Sequence, residues 1–234
     1  MKVNRKFWIR MGIILACLLT FIILAIVVIS NDKNPTAADV LIRDFAYQHR
    51  GEKGGFIYHI TKVFTQLGDI WVTFGVIFIV LILTKMDHRF FYIGFTMAAQ
   101  WVSNIVLKLL IDRPRPIEEL RWSEHSSTSF PSGHSETAGA LFTCIIFLLF
   151  KSKLPKWAKI VGYVISPILI LTVMATRIVL GVHYLTDTIA GASFGVAIAV
   201  ACMYLYELME DVIFPKVKAK IQEKKQAKQT ATSE

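Results

Sequence analysis

The sequence predicts an all-α integral membrane bundle: six transmembrane helices carrying a polar extracytoplasmic cap. Three observations point there. Of 234 residues, 54% are hydrophobic and mean hydropathy is +0.52, more apolar surface than a soluble domain of this length needs. The apolar residues gather into about six runs of membrane-helix character. The basic residues crowd into alternate connections between those runs, as the positive-inside rule requires of a multi-pass chain.

The spans read as Phe7 to Ser30, Asp69 to Thr84, Phe90 to Ile111, His134 to Phe150, Ala158 to Leu180 and Thr188 to Tyr206. The second and fourth are short: at ~1.5 Å per residue they barely cross a ~30 Å core. The first is longer than a signal-peptide core, lacks an A-x-A-like site after it, and is read as retained. Four regions follow: residues 1–30 (first helix with a basic cytoplasmic N-terminus), 31–68 (outer segment), 69–207 (catalytic transmembrane core) and 208–234 (basic cytoplasmic tail). In the outer segment, Phe56, Ile57, Ile60, Val63, Phe64 and Leu67 recur at helical spacing, which predicts an amphipathic interfacial helix broken at Gly68. His49 and His59 in the same segment read as surface residues.

Net charge +9 raises nucleic acid as a partner, but its distribution argues against one. Lys2, Arg5 and Lys6 precede span one, and Arg10 lies in its first turn. Lys85 and Arg89 lie between spans two and three. Lys151, Lys153 and Lys156 separate spans four and five, with Lys159 at the start of span five, and Lys216, Lys218, Lys220, Lys224, Lys225 and Lys228 follow span six. All fall on one side of a six-span chain, which makes that side, with both termini, cytoplasmic. The Lys/Gln/Ala-rich stretch after Phe214 reads as frayed helix or disorder. Cys17, Cys144 and Cys202 sit inside apolar runs and read as small buried hydrophobes, not a disulfide framework or a metal cluster.

Three polar clusters fall on the opposite side, where ionisable residues at a bilayer boundary are costly and point to function. The first, KLLIDRPRP from Lys108 to Pro116, ends span three. Prolines 114 and 116 push Arg113 and Arg115 toward extended geometry. Cations here run against the topology rule, and an anionic ligand is the simplest reason for them. The second is Pro131-Ser132-Gly133-His134, at the mouth of span four. A hydroxyl and free amides ahead of a helix favour a phosphate, and Gly133 permits close backbone approach. The third, TRIVLGVHYLTD from Thr176 to Asp187, would put His183 and Asp187 on one helical face if that stretch is helical. The carboxylate would then hold one ring nitrogen and leave the other as nucleophile or base. Taken singly, the clusters also read as a basic anchor, a helix start, and an N-cap carboxylate beside an interfacial histidine. Pooled, Lys108, Arg115 and Arg177, the Ser132/Gly133 cradle, and His134, His183 and Asp187 are the inventory of a metal-free phosphoryl transfer.

Lys108–Pro116 as K-x6-R-P, P-S-G-H at 131–134 and R-x5-H-x3-D at 177–187 together resemble the three-part signature of the type 2 phosphatidic-acid phosphatase superfamily. Within it the chain is most similar to bacterial membrane lipid phosphatases of the phosphatidylglycerophosphatase B and undecaprenyl-pyrophosphate phosphatase type. The resemblance covers about residues 60 to 207. One departure is Thr176 before Arg177, where the family usually has serine.

The resemblance implies that His183 attacks phosphorus and that Asp187 orients it. It implies that His134 protonates the leaving alkoxide and then activates water, while Lys108, Arg115, Ser132, Gly133 and Arg177 hold the phosphate. Arg113 lies outside the core motif and is expected behind these residues. No cofactor or metal is expected, since the carboxylates in reach are too few for a Mg²⁺ cage. The implied substrate is a membrane lipid phosphate in the bilayer, with undecaprenyl pyrophosphate and phosphatidylglycerophosphate both open. A lipid-linked phosphotransferase using the same phosphoenzyme is the alternative. A vanadium-dependent haloperoxidase shares the phosphate-binding signature, but six spans argue against that mostly soluble group. Oligomeric state stays open.

Overall fold

The computed structural model describes residues 5–83, 89–124, 127–210 and 215. Lys2, the end of the second span at Thr84, Lys85 and nearly all of the basic tail lie outside them. The described residues are all-α: α1 (Arg5–Ser30), α2 (Ala37–His49), α3 (Phe56–Thr65), α4 (Ile70–Leu83), α5 (Arg89–Ile111), α6 (Gly133–Lys151), α7 (Lys156–Val179) and α8 (Leu185–Leu208). Five of these helices are long and apolar enough to cross a membrane, and a sixth crossing is reached if α3 and α4 are joined. This is a multi-pass membrane protein.

α6 and α8 form the centre. Half of each one's apolar window is buried, against 11% for α1 and α7. The outer helices turn large side chains outward, among them Leu15 and Ile26 on α1 and Leu171 on α7, as expected where the solvent is lipid. α6 and α8 lie unusually close because glycines line their contact. A Cβ on Gly191 would stand 2.5 Å from the Ser132 carbonyl oxygen, and Cβ atoms on Gly139 and Gly195 would strike the Ala192 and Glu136 carbonyls. Small residues are how membrane helices bring backbones together. The apolar core below is Tyr92, Ile93, Leu141, Cys144, Phe147 and Tyr206. Nearer the polar end, Phe21 and Val28 of α1 pack with Ile111, Phe130 and Ala190. The cysteines are free, with Cys144 and Cys202 buried.

The outer segment carries a helix, α2, that apolar periodicity did not reveal. Its start is a capping box in which the Thr36 hydroxyl accepts from Asp39 N–H (3.1 Å) and the Asp39 carboxylate from Thr36 N–H (3.0 Å). The sequence signal was Thr-x-x-Asp ahead of a helix. The amphipathic helix expected over residues 56–67 is α3. It continues through a 3₁₀ turn (Gln66–Gly68) into α4, bent by 57°. Among the described residues α4 has 14, about 21 Å at ~1.5 Å each, and a sixth apolar span is reached if α3 and α4 are joined. The small polar residues Thr61 and Thr65 of α3 are buried, while Phe56 and Val63 point outward. His49 and His59 are exposed, as read from sequence.

Candidate active site

The three clusters meet at one end of the bundle, and backbone hydrogen bonds hold them there. Trp122 N–H donates to the Leu180 carbonyl (2.9 Å), Ser129 N–H to Arg113 (2.8 Å), and Ser132 N–H to Asp187 (3.1 Å). The last bond ties the start of α6 to the start of α8, joining P-S-G-H to the histidine–aspartate segment. Arg50, buried at the end of α2, forks onto the Val179 (2.9 Å) and Leu120 (2.6 Å) carbonyls. Its guanidinium stacks on Tyr47 and Trp122. Gly181 turns the chain out of α7 with φ +73°, and a Cβ there would sit 2.8 Å from the Tyr47 hydroxyl, so this turn needs glycine.

His183 stands on the turn between α7 and α8, its side chain 2% exposed. Nδ1 lies 3.6 Å from Asp187 Oδ2 and 3.4 Å from Ser129 Oγ. Nε2 lies 3.2 Å from Arg115 Nη1. The expected helical face for residues 183–187 is corrected: α8 begins at Leu185. Asp187 reaches His183 by folding back over the helix start, where its Oδ2 accepts the Tyr184 N–H (2.9 Å) and the Ser129 hydroxyl. The same carboxylate thus faces His183 and caps the start of α8.

Burial first, then the charges of Arg115, Arg177, Lys108 and His134, holds the His183 imidazole well below its ordinary pKa. Those four side chains come from α5, its following loop, α6 and α7, and their charges converge on one ring. Arg115 donates to Val182 O (2.8 Å) and to Ser127 O (2.5 Å) and Oγ (3.0 Å). Burial brings its pKa to about 10, still cationic at neutral pH. A cleft of about 460 Å³ opens beside it, lined also by Arg121 and Thr128. Lys108 donates to the Thr128 carbonyl, and Arg177, 2% exposed, to Thr65 Oγ1 (2.8 Å). Thr176 turns its hydroxyl onto its own helix at Val173 O (2.6 Å), so the Ser-to-Thr departure makes no new polar contact at the site.

Ser132 is the N-cap of α6, and its hydroxyl accepts from Ser135 (3.0 Å). The first closing bond of the helix is Glu136 N–H to Ser132 O (2.9 Å). The amides of Gly133, His134 and Ser135 therefore precede any intrahelical acceptor and form the positive end of α6. The His134 side chain is 24% exposed, with Nε2 3.9 Å from Asp69 Oδ2 at the α3–α4 bend.

Arg113 is wholly buried. It donates to Asp187 Oδ1 (2.5 Å), Thr186 Oγ1 (2.7 Å) and Asp39 Oδ2 (2.9 Å), and lies over the Tyr184 ring. Burial lowers its pKa, but the two carboxylates outweigh that and raise it. Burial raises that of Asp39, but hydrogen bonds from Thr186 N–H, Arg113 and Thr36 N–H outweigh it and hold the carboxyl below its ordinary value. Ser129, Asp39, Thr186 and Asp69 did not emerge from sequence reasoning. Asp39 shows only as part of a helix-capping pattern and Thr186 only as a spacer in the third cluster, and what ties each to the site is the tertiary fold.

A family model for the PAP2 superfamily matches residues 89–209, a stretch that contains all three clusters. The chain belongs to the PAP2 superfamily. It is 40% identical over 94 residues to phosphatidylglycerophosphatase B of Bacillus subtilis (strain 168), covering 39% of this chain and 45% of that protein. It is 34% identical over 113 residues to lipid A 1-phosphatase of Rhizobium johnstonii, covering 44% and 42%. The matched stretches therefore span less than half the length of these curated relatives. In three dimensions it resembles the crystal structure of a transmembrane PAP2-type phosphatidylglycerolphosphate phosphatase from Bacillus subtilis. That match has a TM-score of 0.75 and 26% identity, over 85% of this chain and 98% of that one. It shares the fold of Aquifex aeolicus LpxE, with a TM-score of 0.60 and 20% identity over 72% and 96%.

Proposed function

We propose that this PAP2 protein is a membrane lipid phosphate phosphatase acting through a phosphohistidine at His183. The observation that carries the reading is the two-sided setting of that ring. Nδ1 faces Asp187 and Ser129, which favours the Nδ1–H tautomer, and Nε2 faces the cation cluster with its lone pair. A phosphate drawn in by Arg115, Arg177, Lys108 and the amides at the head of α6 would meet Nε2 in line. The Nε2–P bond forms as the P–O bond to the lipid breaks, and His134 gives its proton to the leaving oxygen. His134 then takes a proton from water, whose oxygen attacks phosphorus, breaking N–P and releasing inorganic phosphate. Asp187 stabilises the positive charge on His183 throughout.

A lipid substrate is supported by the site's position at the end of the apolar bundle. An apolar groove of about 490 Å³ also runs along α5, lined by Phe95, Val102, Val106 and Phe194 among others. It follows α5 to Leu107, next to Lys108. The lysine bias supports a site outside the cytoplasm with both termini inside, and on that reading an outward-facing polyprenyl pyrophosphate is favoured over phosphatidylglycerophosphate. A phosphotransferase would share every step but the last acceptor. Phosphate release by purified protein in detergent, comparing undecaprenyl pyrophosphate, phosphatidylglycerophosphate and phosphatidic acid at matched concentration, tests the reading. Hydrolysis of at least one is expected. Product formed only when a second lipid or sugar is present would favour the transferase, and no turnover of any would refute both.

A further inference from the structure

The strongest buried electrostatic feature lies behind the site, partly outside the stretch matched to the family. Asp39 and Arg113 form an ion pair at 2.9 Å with both side chains 0% exposed, and Arg113 pairs with Asp187 at 2.5 Å in the same enclosure. Asp39 receives the Thr186 N–H (2.9 Å) and the Thr186 hydroxyl (3.0 Å), and that hydroxyl receives Arg113. Arg113 also donates to the Lys33 and Asn34 carbonyls (both 3.2 Å). Two buried charges cost several kcal/mol to desolvate and are kept only where geometry is tight and every polar atom is partnered. Here the alternation runs carboxylate, guanidinium, carboxylate, imidazole, from α2 to the turn before α8.

The geometry points to Asp39 as a positioning residue for the reaction. It fixes the Arg113 fork and the Thr186 backbone, so that Asp187 presents Oδ2 to His183 while Oδ1 is held from behind. The α1–α2 segment is then a working part of the active site and not only its cover. The inference rests on the proposed roles of His183 and Asp187.

Asp39→Asn tests it, since the residue keeps its shape and one acceptor oxygen but turns an amide toward Arg113. The readout is single-turnover and steady-state phosphate release in detergent. Expected is a fall in kcat of roughly 10- to 100-fold, the scale seen for partners that orient a working histidine. KM should stay near wild type, while the thermal midpoint should fall, because one carboxylate of a buried pair is lost. Asp39 acts through Asp187, so the same substitution should cost little in an Asp187→Asn background. An unchanged kcat, or an equal fold-loss in both backgrounds, overturns the inference. If Asp39→Asn does not yield folded protein, Thr186→Val is read by the same two criteria, with a smaller loss expected because only the bridging hydroxyl goes. If Asp187→Asn and His183→Ala both turn over as fast as wild type, it is the histidine assignment that fails.

Discussion

Adding one methyl group to Gly191 should slow the reaction although Gly191 itself holds no phosphate. Gly191 lies on α8 one turn past Asp187, and its missing Cβ faces the Ser132 carbonyl. In Gly191→Ala that contact would begin at 2.5 Å, where ordinary van der Waals contact starts at 3.4 Å, so the head of α6 must retreat by about 0.9 Å. The opposing atoms are backbone, at Ser132 O and Glu136 N, and no side chain can swing aside. The displacement carries the amides and His134 away from His183. A misplacement of ~1 Å costs on the order of 100-fold in rate, while overpacking costs about 1–3 kcal/mol of stability. The assay is kcat for phosphate release, with thermal melting as the folding check. Gly75→Ala serves as the control, because a Cβ there meets nothing within 4 Å. A folded Gly191→Ala protein with wild-type kcat would refute the idea that α6–α8 spacing sets the reacting geometry.

Other expectations follow from charge. Burial and neighbouring cations disfavour the protonated form of His183, so it stays neutral and nucleophilic as pH falls. The acid limb of kcat/KM should therefore lie below the ordinary imidazole value of about 6.5, and an acid limb at or above that value contradicts the assignment. EDTA should leave phosphate release unchanged. Among the described residues no group of three or more His, Cys, Asp or Glu could hold a metal ion, and loss of activity restored by Mg²⁺ would overturn the expectation. A tag at Ser152 should be reachable only from the cytoplasm and one at Glu124 only from outside, with the reverse result relocating the site.

The all-α class and the spans from α5 onward were legible because a membrane imposes long apolar runs and a charge bias, both local in sequence. The main candidate residues were legible because each cluster is short and regularly spaced. What sequence hid was relational. α2 is announced only by Thr36 and Asp39, and Asp39 reaches Arg113 across 74 residues. The 57° bend between α3 and α4 was not legible either, because it is set by how the two helices pack and not by a local signal beyond Gly68. Helical spacing between His183 and Asp187 gave a correct contact for a wrong reason: the carboxylate arrives as a cap over the start of α8, and Ser129, 54 positions before His183, completes its setting.

Phosphate release by His183→Ala bears most directly on the proposed chemistry, measured beside wild type on the lipid phosphate that wild type hydrolyses fastest. Loss of the nucleophile should leave at most about a thousandth of the rate, with melting behaviour intact and no phosphate trapped on the protein. A folded His183→Ala protein that releases phosphate at the wild-type rate would show that the phosphoryl group never passes through this histidine.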